Sequence, residues 1–344
     1  MTQLTIGIDI GGTNLRAAVV DPDGRVLDVE QLPTPSTVES LETAIAHAVG
    51  ILRSRHSVGA VGLAVAGFIT ADQERVRFAP HLPWRDRDVR DRLTRRLGLP
   101  VVLEHDANAA AWGEQILGPG RDAATWVLFA VGTGIGGALV TEGQLYRGSY
   151  GAAPEFGHLT VVPGGRACPC GKRGCLERYC SGSALETTAL EFIATGRHPD
   201  SMLAGIFHSR PEEITGRSVV RLARDGDPLA MEVIDDFAGG GGLGRTAVTV
   251  GMAPARSLHG GGLSAVQEVL DPELIVLGGG VSADADLYLP GARAEMEASV
   301  VGSGFRPMAR VEAASLGSEA GMIGVALLAG HAHLSSSTTC LRKG

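Results

Sequence analysis

Four of the five cysteines in this 344-residue chain, Cys168, Cys170, Cys175 and Cys180, fall within thirteen positions, and His158 precedes them. The spacing H-x9-C-x-C-x4-C offers three thiolates and an imidazole, a donor set that suits a tetrahedral zinc ion. Pro169, Gly171 and Gly174 stand between the thiols in "CPCGKRGC" and let the backbone fold closely around an ion. A Cys3His zinc site accounts for His158, Cys168, Cys170 and Cys175 together. The plain alternative is a loop with buried free thiols. A redox centre would need C-x-x-C at a helix start, which is absent. Cys180 and Cys340 have no partner at metal spacing.

Acids and glycines supply the other candidates. Glu155 and His158 are three apart in "PEFGHLTV", and Glu177 follows Cys175 closely. Two carboxylates and an imidazole on one metal-held loop suit a polyol, because preorganised acceptors limit the cost of ordering; otherwise both glutamates are solvated loop acids. "DIGGTN" joins strand to strand, and the backbone N–H groups of Gly11, Gly12 and Asn14 with the Thr13 side chain can cradle phosphate oxygens. Asp9 can organise Mg2+ and Arg16 can offset phosphate charge; the alternative is an ordinary glycine hairpin with Asp9 as a turn residue. "VGTGIGG" satisfies G-x-G-x-x-G, but a dinucleotide fold needs a helix directly afterwards. "ALVTEGQL" reads as strand and turn instead, so Gly132, Thr133 and Gly134 form a second phosphate-holding hairpin. No G-x-x-x-x-G-K-[ST] pattern occurs. In "EHDANAAAWGE", Asp106 stands where a strand ends and a helix begins, able to take a proton from a substrate hydroxyl or to serve as a plain helix N-cap.

The elements that must position these residues follow from periodicity. Strands are expected over "LTIGIDI", "LRAAVVD" and "RVLDVEQL", then a helix from about Thr37 to Arg55, a buried strand "VGAVGLAVAG", a helix around Asp88 to Leu97, and a strand "PVVLE". An Ala-rich helix begins near Asp106. "TWVLFAVGTGIGGALVTEGQLYRG" repeats the opening order of strand, glycine turn, strand, turn, strand. Two such halves suggest a duplicated arrangement facing a cleft, one half for a phosphate donor and the other for an acceptor. "DPELIVLGGGVS" is a further buried strand. The glycine-rich stretch from Ala238 to Val266 shows little helical period and reads as a loop or disturbed helix. Arg alternates with Asp in "WRDRDVRDRLTRRLG", which reads as a solvated helix face with ion pairs. Net charge is −8, which disfavours a nucleic-acid surface. Asp9 interrupts the first apolar run, so no signal peptide is expected. "AGMIGVALLAG" is too short to span a bilayer, so no membrane association is expected. Clustered thiols used for metal fit a cytoplasmic setting.

Taken together, "DIGGTNLRAAVVD", "EHDANAAAWGE", "VGTGIGGALV", "PEFGHLTV", "CPCGKRGCLE" and "DPELIVLGGGVS", in this order from residue 6 to about 330, resemble the ROK family (repressors, open reading frames and sugar kinases) and within it most the bacterial glucokinases. The resemblance implies an α/β fold of the actin-like ATPase class (hexokinase-type, ribonuclease H-like), with two lobes around a cleft. The small lobe would be 1–117 plus about 318–333. The large lobe, 118–317, would carry the zinc-binding loop and nucleotide site. It implies ATP-dependent phosphorylation of glucose at the 6-hydroxyl, an early step of glycolytic carbohydrate metabolism, with Asp106 as general base. His105, Glu155, His158, Glu177 and Gly67 would surround the sugar, His158 using its other ring nitrogen for a structural zinc. ATP and Mg2+ would be held by Asp9, Gly11, Gly12, Thr13, Asn14, Arg16, Gly132, Thr133, Gly134, Gly278 and Gly279. The family habit is a homodimer or homotetramer. Alternatives within the family are kinases for mannose, N-acetylmannosamine or N-acetylglucosamine, and polyphosphate in place of ATP. A sugar-responsive repressor would carry a helix-turn-helix ahead of Asp9, for which no room is expected. The chain departs from the family at His105, where Asn is usual and bears on the C3/C4 hydroxyl preference. It departs also at His81 and at Ala66-Gly67 in place of Pro-Gly, and its stretch 238–266 is longer than the family pattern.

Overall fold

The computed structural model describes residues 3–239 and 262–341. In chain order the elements are β1 (Leu4–Ile10), β2 (Asn14–Val20), β3 (Val26–Pro33), α1 (Val38–Arg55), β4 (Val58–Val65), β5 (Phe68–Ile69), β6 (Val76–Phe78), β7 (Arg85–Arg87), α2 (Val89–Leu97), β8 (Val101–His105) and α3 (Asp106–Leu117). There follow β9 (Trp126–Val131), β10 (Ile135–Thr141), β11 (Gln144–Tyr146), α4 (Glu177–Cys180), α5 (Gly182–Ala194), α6 (Met202–Ser209), α7 (Gly216–Arg224) and α8 (Pro228–Ala238). The chain closes with α9 (Ser264–Leu270), β12 (Leu274–Gly278), α10 (Ala285–Ser299), β13 (Arg310–Ala313) and α11 (Ala320–Leu341). It divides into two compact units, one of Met1–Thr125, Ala138–Pro154 and Ser315–Gly344, the other of Trp126–Gly137 and Glu155–Ala314.

In the first unit the sheet order is β3-β2-β1-β4-β8. β1 pairs antiparallel with β2 and parallel with β4, and β4 pairs parallel with β8. Side chains alternate across a strand, and the two faces differ in kind. Ile6, Ile8, Ile10, Leu15, Val19, Val61, Leu63 and Val65 pack under α1 and α2 in one apolar cluster. The opposite face is built of small residues. Cβ atoms at Gly7 and Gly62 would lie 2.0 Å from the Met322 carbonyl oxygen and 2.1 Å from that of Val325, so only glycine lets α11 lie so close. Ala64, Ala109 and Val325 close the same layer, and Thr5 Oγ1 donates to Ala326 O at 2.9 Å. Asp9 belongs to this face, two residues beyond Gly7, and stands inside β1 opposite Arg16 rather than in the turn. The turn-residue alternative for Asp9 is thereby corrected.

The second five-stranded sheet repeats the plan. β12 lies between β9 and β13, parallel to both. The full order β11-β10-β9-β12-β13 matches that of the first sheet, a three-strand meander followed by two parallel strands, as the repeated glycine pattern suggests. Helices α5, α7 and α8 bury Leu185, Phe192, Val219, Leu222, Val233 and Phe237.

One sequence expectation changes. The Arg/Asp run is not one solvated face. Its first part is β7, and Arg87 and Arg92 reach Glu42 of α1, which is 2% exposed, at 3.5 and 3.0 Å; a buried acid is tolerable only when so paired. The glycine-rich stretch lies for the most part outside the described residues, but its ends are helical: Ala238 closes α8 and Ser264 opens α9.

Candidate active site and metal centre

In the first unit three parallel strands end together. Asp9 of β1 is in register with Ala64 of β4, and Ala64 with Glu104 of β8. Ligands of open parallel sheets bind beyond such carboxyl ends. Gly11, Gly12, Thr13 and Asn14 form an exposed turn closed by Gly11 N donating to Asn14 O at 3.0 Å and held by Thr34, whose Oγ1 donates to Gly11 O at 2.7 Å. Gly67 follows β4, where a Cβ would lie 2.6 Å from the Phe78 carbonyl oxygen. Asp106 is the first residue of α3. His105 occupies the cap position without a side-chain capping bond, so the plain N-cap alternative for Asp106 does not describe this turn. The Asp106 carboxylate is 41% exposed, accepts from the Ala107 amide at 2.7 Å, and lies 3.2 Å from His105 Nε2. Burial, and then the nearby Asp106, pushes the Asp9 carboxyl up to about 6, against the pull of Arg16. Arg16 also contacts Glu319 at 3.2 Å. Two acids near one another at a sheet end make a place short of positive charge.

In the second unit the glycine turns meet the ends of β9 and β12. Gly132 N donates to Gly134 O at 2.9 Å, and the first turn of α5 closes over them, Gly182 N on Gly132 O at 2.7 Å and Ser183 Oγ on Thr133 O at 2.6 Å. Gly278 is in register with Ala130. Gly279 has φ +83, and a Cβ there would stand 2.4 Å from the Val131 carbonyl oxygen. Thus the two glycine turns lie side by side.

The four expected metal donors come together. The ligand atoms of His158, Cys168, Cys170 and Cys175 lie within 4.8 Å of one another. Cys170 Sγ and Cys175 Sγ are 3.6 Å apart, and Cys168 Sγ is 3.8 Å from His158 Nδ1. Tetrahedral zinc with bonds of about 2.3 Å to sulfur and about 2.05 Å to nitrogen has edges of about 3.8 and about 3.6 Å, so the donors fit the ion. The loop is pinned around them. Leu176 N bonds to Leu159 O, Cys168 N to Lys172 O, and Lys172 Nζ to His158 O at 2.7 Å. Gly174, at φ +78, has its Cβ direction filled by the Val162 carbonyl. Burial pushes the Cys168 thiol up, helped by Glu177, and the Cys175 thiol up, helped by Cys170; a bound cation reverses that preference. His158 turns Nδ1 toward this cluster and Nε2 toward Glu155, 4.0 Å away. Glu177 Oε1 accepts from the Cys168 thiol at 3.0 Å, and a Cβ on Gly134 would lie 2.8 Å from Glu177 Oε2. Glu177 therefore spans from the thiol cluster to the glycine turn, a link that the spacing did not disclose. Cys180 is buried and is not among the four donors. A cavity of about 470 Å³ between His198–Met202 and Asp225–Pro228 holds none of the expected site residues.

Residues that sequence reading missed are two buried acids, Glu104 directly before the His105–Asp106 turn and Glu114 toward the far end of α3. Glu104, 2% exposed, collects five donor contacts, and Glu114, fully buried, accepts from Ser315 N, Ser315 Oγ and Leu316 N. A Glu closing an apolar strand was the available signal for the first. Among the described residues no helix is long and apolar enough to cross a membrane.

The ROK family model matches residues 5–332. A glucokinase of Streptomyces coelicolor is 39% identical over 326 residues, covering 95% of this chain and 97% of that protein. A glucokinase of Halalkalibacterium halodurans is 33% identical, covering 93% and 92%. Among solved structures, a ROK family glucokinase from Streptomyces griseus in complex with glucose and AMPPNP superposes with a TM-score of 0.81 at 39% identity, over 95% of this chain and 99% of that one.

Proposed function

The chain belongs to the ROK family and has its actin-like, hexokinase-type α/β fold, and on that premise we propose that it transfers the γ-phosphoryl group of ATP to the 6-hydroxyl of glucose. The observation that carries the reading is the meeting of Asp106, Asp9 and the Gly11–Asn14 turn at the carboxyl ends of β1, β4 and β8. The identity to proteins named glucokinases supports the substrate.

In this reading Asp106 accepts the proton of the attacking hydroxyl, and its half-exposed carboxylate is open to a substrate. Phosphoryl transfer otherwise asks for positioning and charge neutralisation. The Gly11–Asn14 and Gly132–Gly134 turns with Gly278 and Gly279 would offer backbone N–H groups to ATP. Asp9 would hold Mg2+, which when bound neutralises the phosphate charge; the raised pKa of this buried acid beside Asp106 is what a divalent cation relieves. Glu155, His158, Glu177, His105 and Gly67 would line the sugar. Zinc on His158, Cys168, Cys170 and Cys175 would be structural, fixing the loop and leaving His158 Nε2 for a hydroxyl. The small lobe, 1–117 with about 318–333, would carry the base, and the large lobe, 118–317, the zinc loop and nucleotide site. A cytoplasmic homodimer or homotetramer completes the proposal.

The test is ADP release against glucose, mannose, N-acetylmannosamine and N-acetylglucosamine, with ATP or polyphosphate as donor. Turnover is expected with ATP and glucose, lowered about 10²- to 10⁴-fold in Asp106→Ala. Undiminished turnover in that variant removes Asp106 from the mechanism, and a different best sugar replaces glucose.

A further inference from the structure

We propose that Glu104 and Arg147 form a positioning pair that sets the Asp106 turn and, with it, the rate of phosphoryl transfer; this rests on the reading of Asp106 as the base. The turn from β8 into α3 lacks the usual means of fixing such a junction, because His105 makes no side-chain capping bond. Glu104 does that work from below. Its Oε1 accepts from the His105 amide at 3.0 Å and from Asn108 Nδ2 at 3.0 Å, gripping the residues on both sides of Asp106. The Asn108 amide is oriented by that bond, since reversing it would set oxygen against carboxylate.

The other oxygen is held from two other segments. Glu104 Oε2 accepts from Arg147 Nε at 2.9 Å and Nη2 at 2.6 Å, and from Gln73 Nε2 at 2.6 Å. Gln73 reaches it from a backbone at φ +58, a conformation that a non-glycine residue seldom adopts without compensating contacts. Arg147 follows β11 and begins the loop that runs to Pro154 and then Glu155. That loop is itself fixed, with Ala153 N donating to Arg147 O at 3.3 Å. It also lies close over β5, where a Cβ on Gly151 would stand 2.3 Å from the Ile69 carbonyl oxygen. Glu104 is 2% and Arg147 27% exposed, so the charge pair is shielded more than a surface pair and its geometry is better determined. Neither side chain is expected to touch the sugar. They act through the placement of Asp106, where a misplacement of about 1 Å can cost about 10²-fold in rate.

The experiment measures kcat and KM for glucose, with thermal stability, in the full-length protein carrying Glu104→Gln, Arg147→Lys, or Glu104→Gln with Arg147→Met, beside Asp106→Ala. Glutamine keeps the shape but turns an amide N–H₂ toward Arg147 and Gln73. The expected result is a kcat fall of about 10- to 100-fold with KM within about 3-fold. Removing Arg147's charge in the double variant relieves the unpaired donors and recovers stability, yet kcat stays low because residue 104 is no longer anchored through Arg147, so the oxygen facing His105 N and Asn108 Nδ2 is not held in place. A kcat that returns together with stability makes the pair merely structural and overturns the proposal. So does a kcat within about 2-fold of wild type in Glu104→Gln. If Glu104→Gln does not fold, Arg147→Lys decides: a point charge that cannot reproduce two donors on Oε2 should lower kcat about 3- to 10-fold, and an unchanged kcat refutes the pair. Full activity of Asp106→Ala would instead dismiss the base and leave the cause of any Glu104 effect elsewhere, so the two failures are told apart.

Discussion

Asp9→Asn should make the protein more stable and less active together. The Asp9 carboxyl is pushed from 3.8 up to about 6 by burial and then by Asp106, with Arg16 opposing. Between those values the native protein holds a proton that the unfolded chain has lost, so stability falls as pH rises. The stabilising share of the protonated acid is fully present below 3.8 and is lost as pH rises through about 6. At about 1.4 kcal/mol per pH unit, that interval caps the penalty on the ionised form at about 3 kcal/mol above about pH 7, and at about 2 kcal/mol at about pH 5. Asparagine has the same shape and no titration, and Arg16 keeps Glu319 as a partner at 3.2 Å. Thermal melts without nucleotide or divalent cation, at about pH 5 and about pH 7.5, should show the variant above wild type at both, by more at the higher pH. For domains of about 150–250 residues, each kcal/mol is worth about 2–4 °C. Turnover with ATP and glucose should meanwhile fall by about 10²-fold or more if Asp9 organises the cation. A melting gain that is independent of pH, or a variant less stable than wild type at about pH 7.5, refutes the electrostatic account.

Elemental measurement on purified protein should find about one zinc per chain, and Cys170→Ser should lower both the zinc content and the affinity for glucose; folded, active protein without metal would contradict the assignment of these donors. Gly324→Ala would place a Cβ 1.7 Å from the Ala109 carbonyl oxygen of α3. The two helices must separate by more than about 1 Å, at a cost of about 1–3 kcal/mol or more, and kcat should fall because α3 begins at Asp106. Gly50→Ala is the contrast, since it lies on an exposed face of α1 with nothing within 4 Å of its Cβ position; denaturant melts should show a gain of about 0.5–1 kcal/mol, and a loss there would mean that α1 is packed differently.

Much of the site was legible because its signals are local. A glycine turn between two apolar runs predicts a hairpin wherever it occurs, and both hairpins formed, at Gly11–Asn14 and Gly132–Gly134. Thiol spacing over eight residues leaves few ways to close a loop, and Cys168, Cys170, Cys175 and His158 converge. The supporting acids were not legible. "PVVLE" reads as a strand and says nothing of where its Glu goes; Glu104 is buried and paired with Arg147, 43 residues later. Nothing in the Ala-rich helix singles out Glu114, and it accepts from the backbone of Ser315 and Leu316, about 200 residues away. The Arg-rich run looked solvated because nothing in it announces Glu42.

By itself, then, the order of residues determined the elements, the doubled meander, the two glycine turns and the cluster of one histidine and three cysteines, all of which depend on periodicity and short spacings. Tertiary structure alone decided which acids are buried and paired and which glycines admit α11 against the sheet. Those outcomes depend on desolvation and on contact between segments far apart in the chain. Whether a carboxylate is paired or solvated, and whether a missing Cβ is needed, is settled only when the opposing surface is in place.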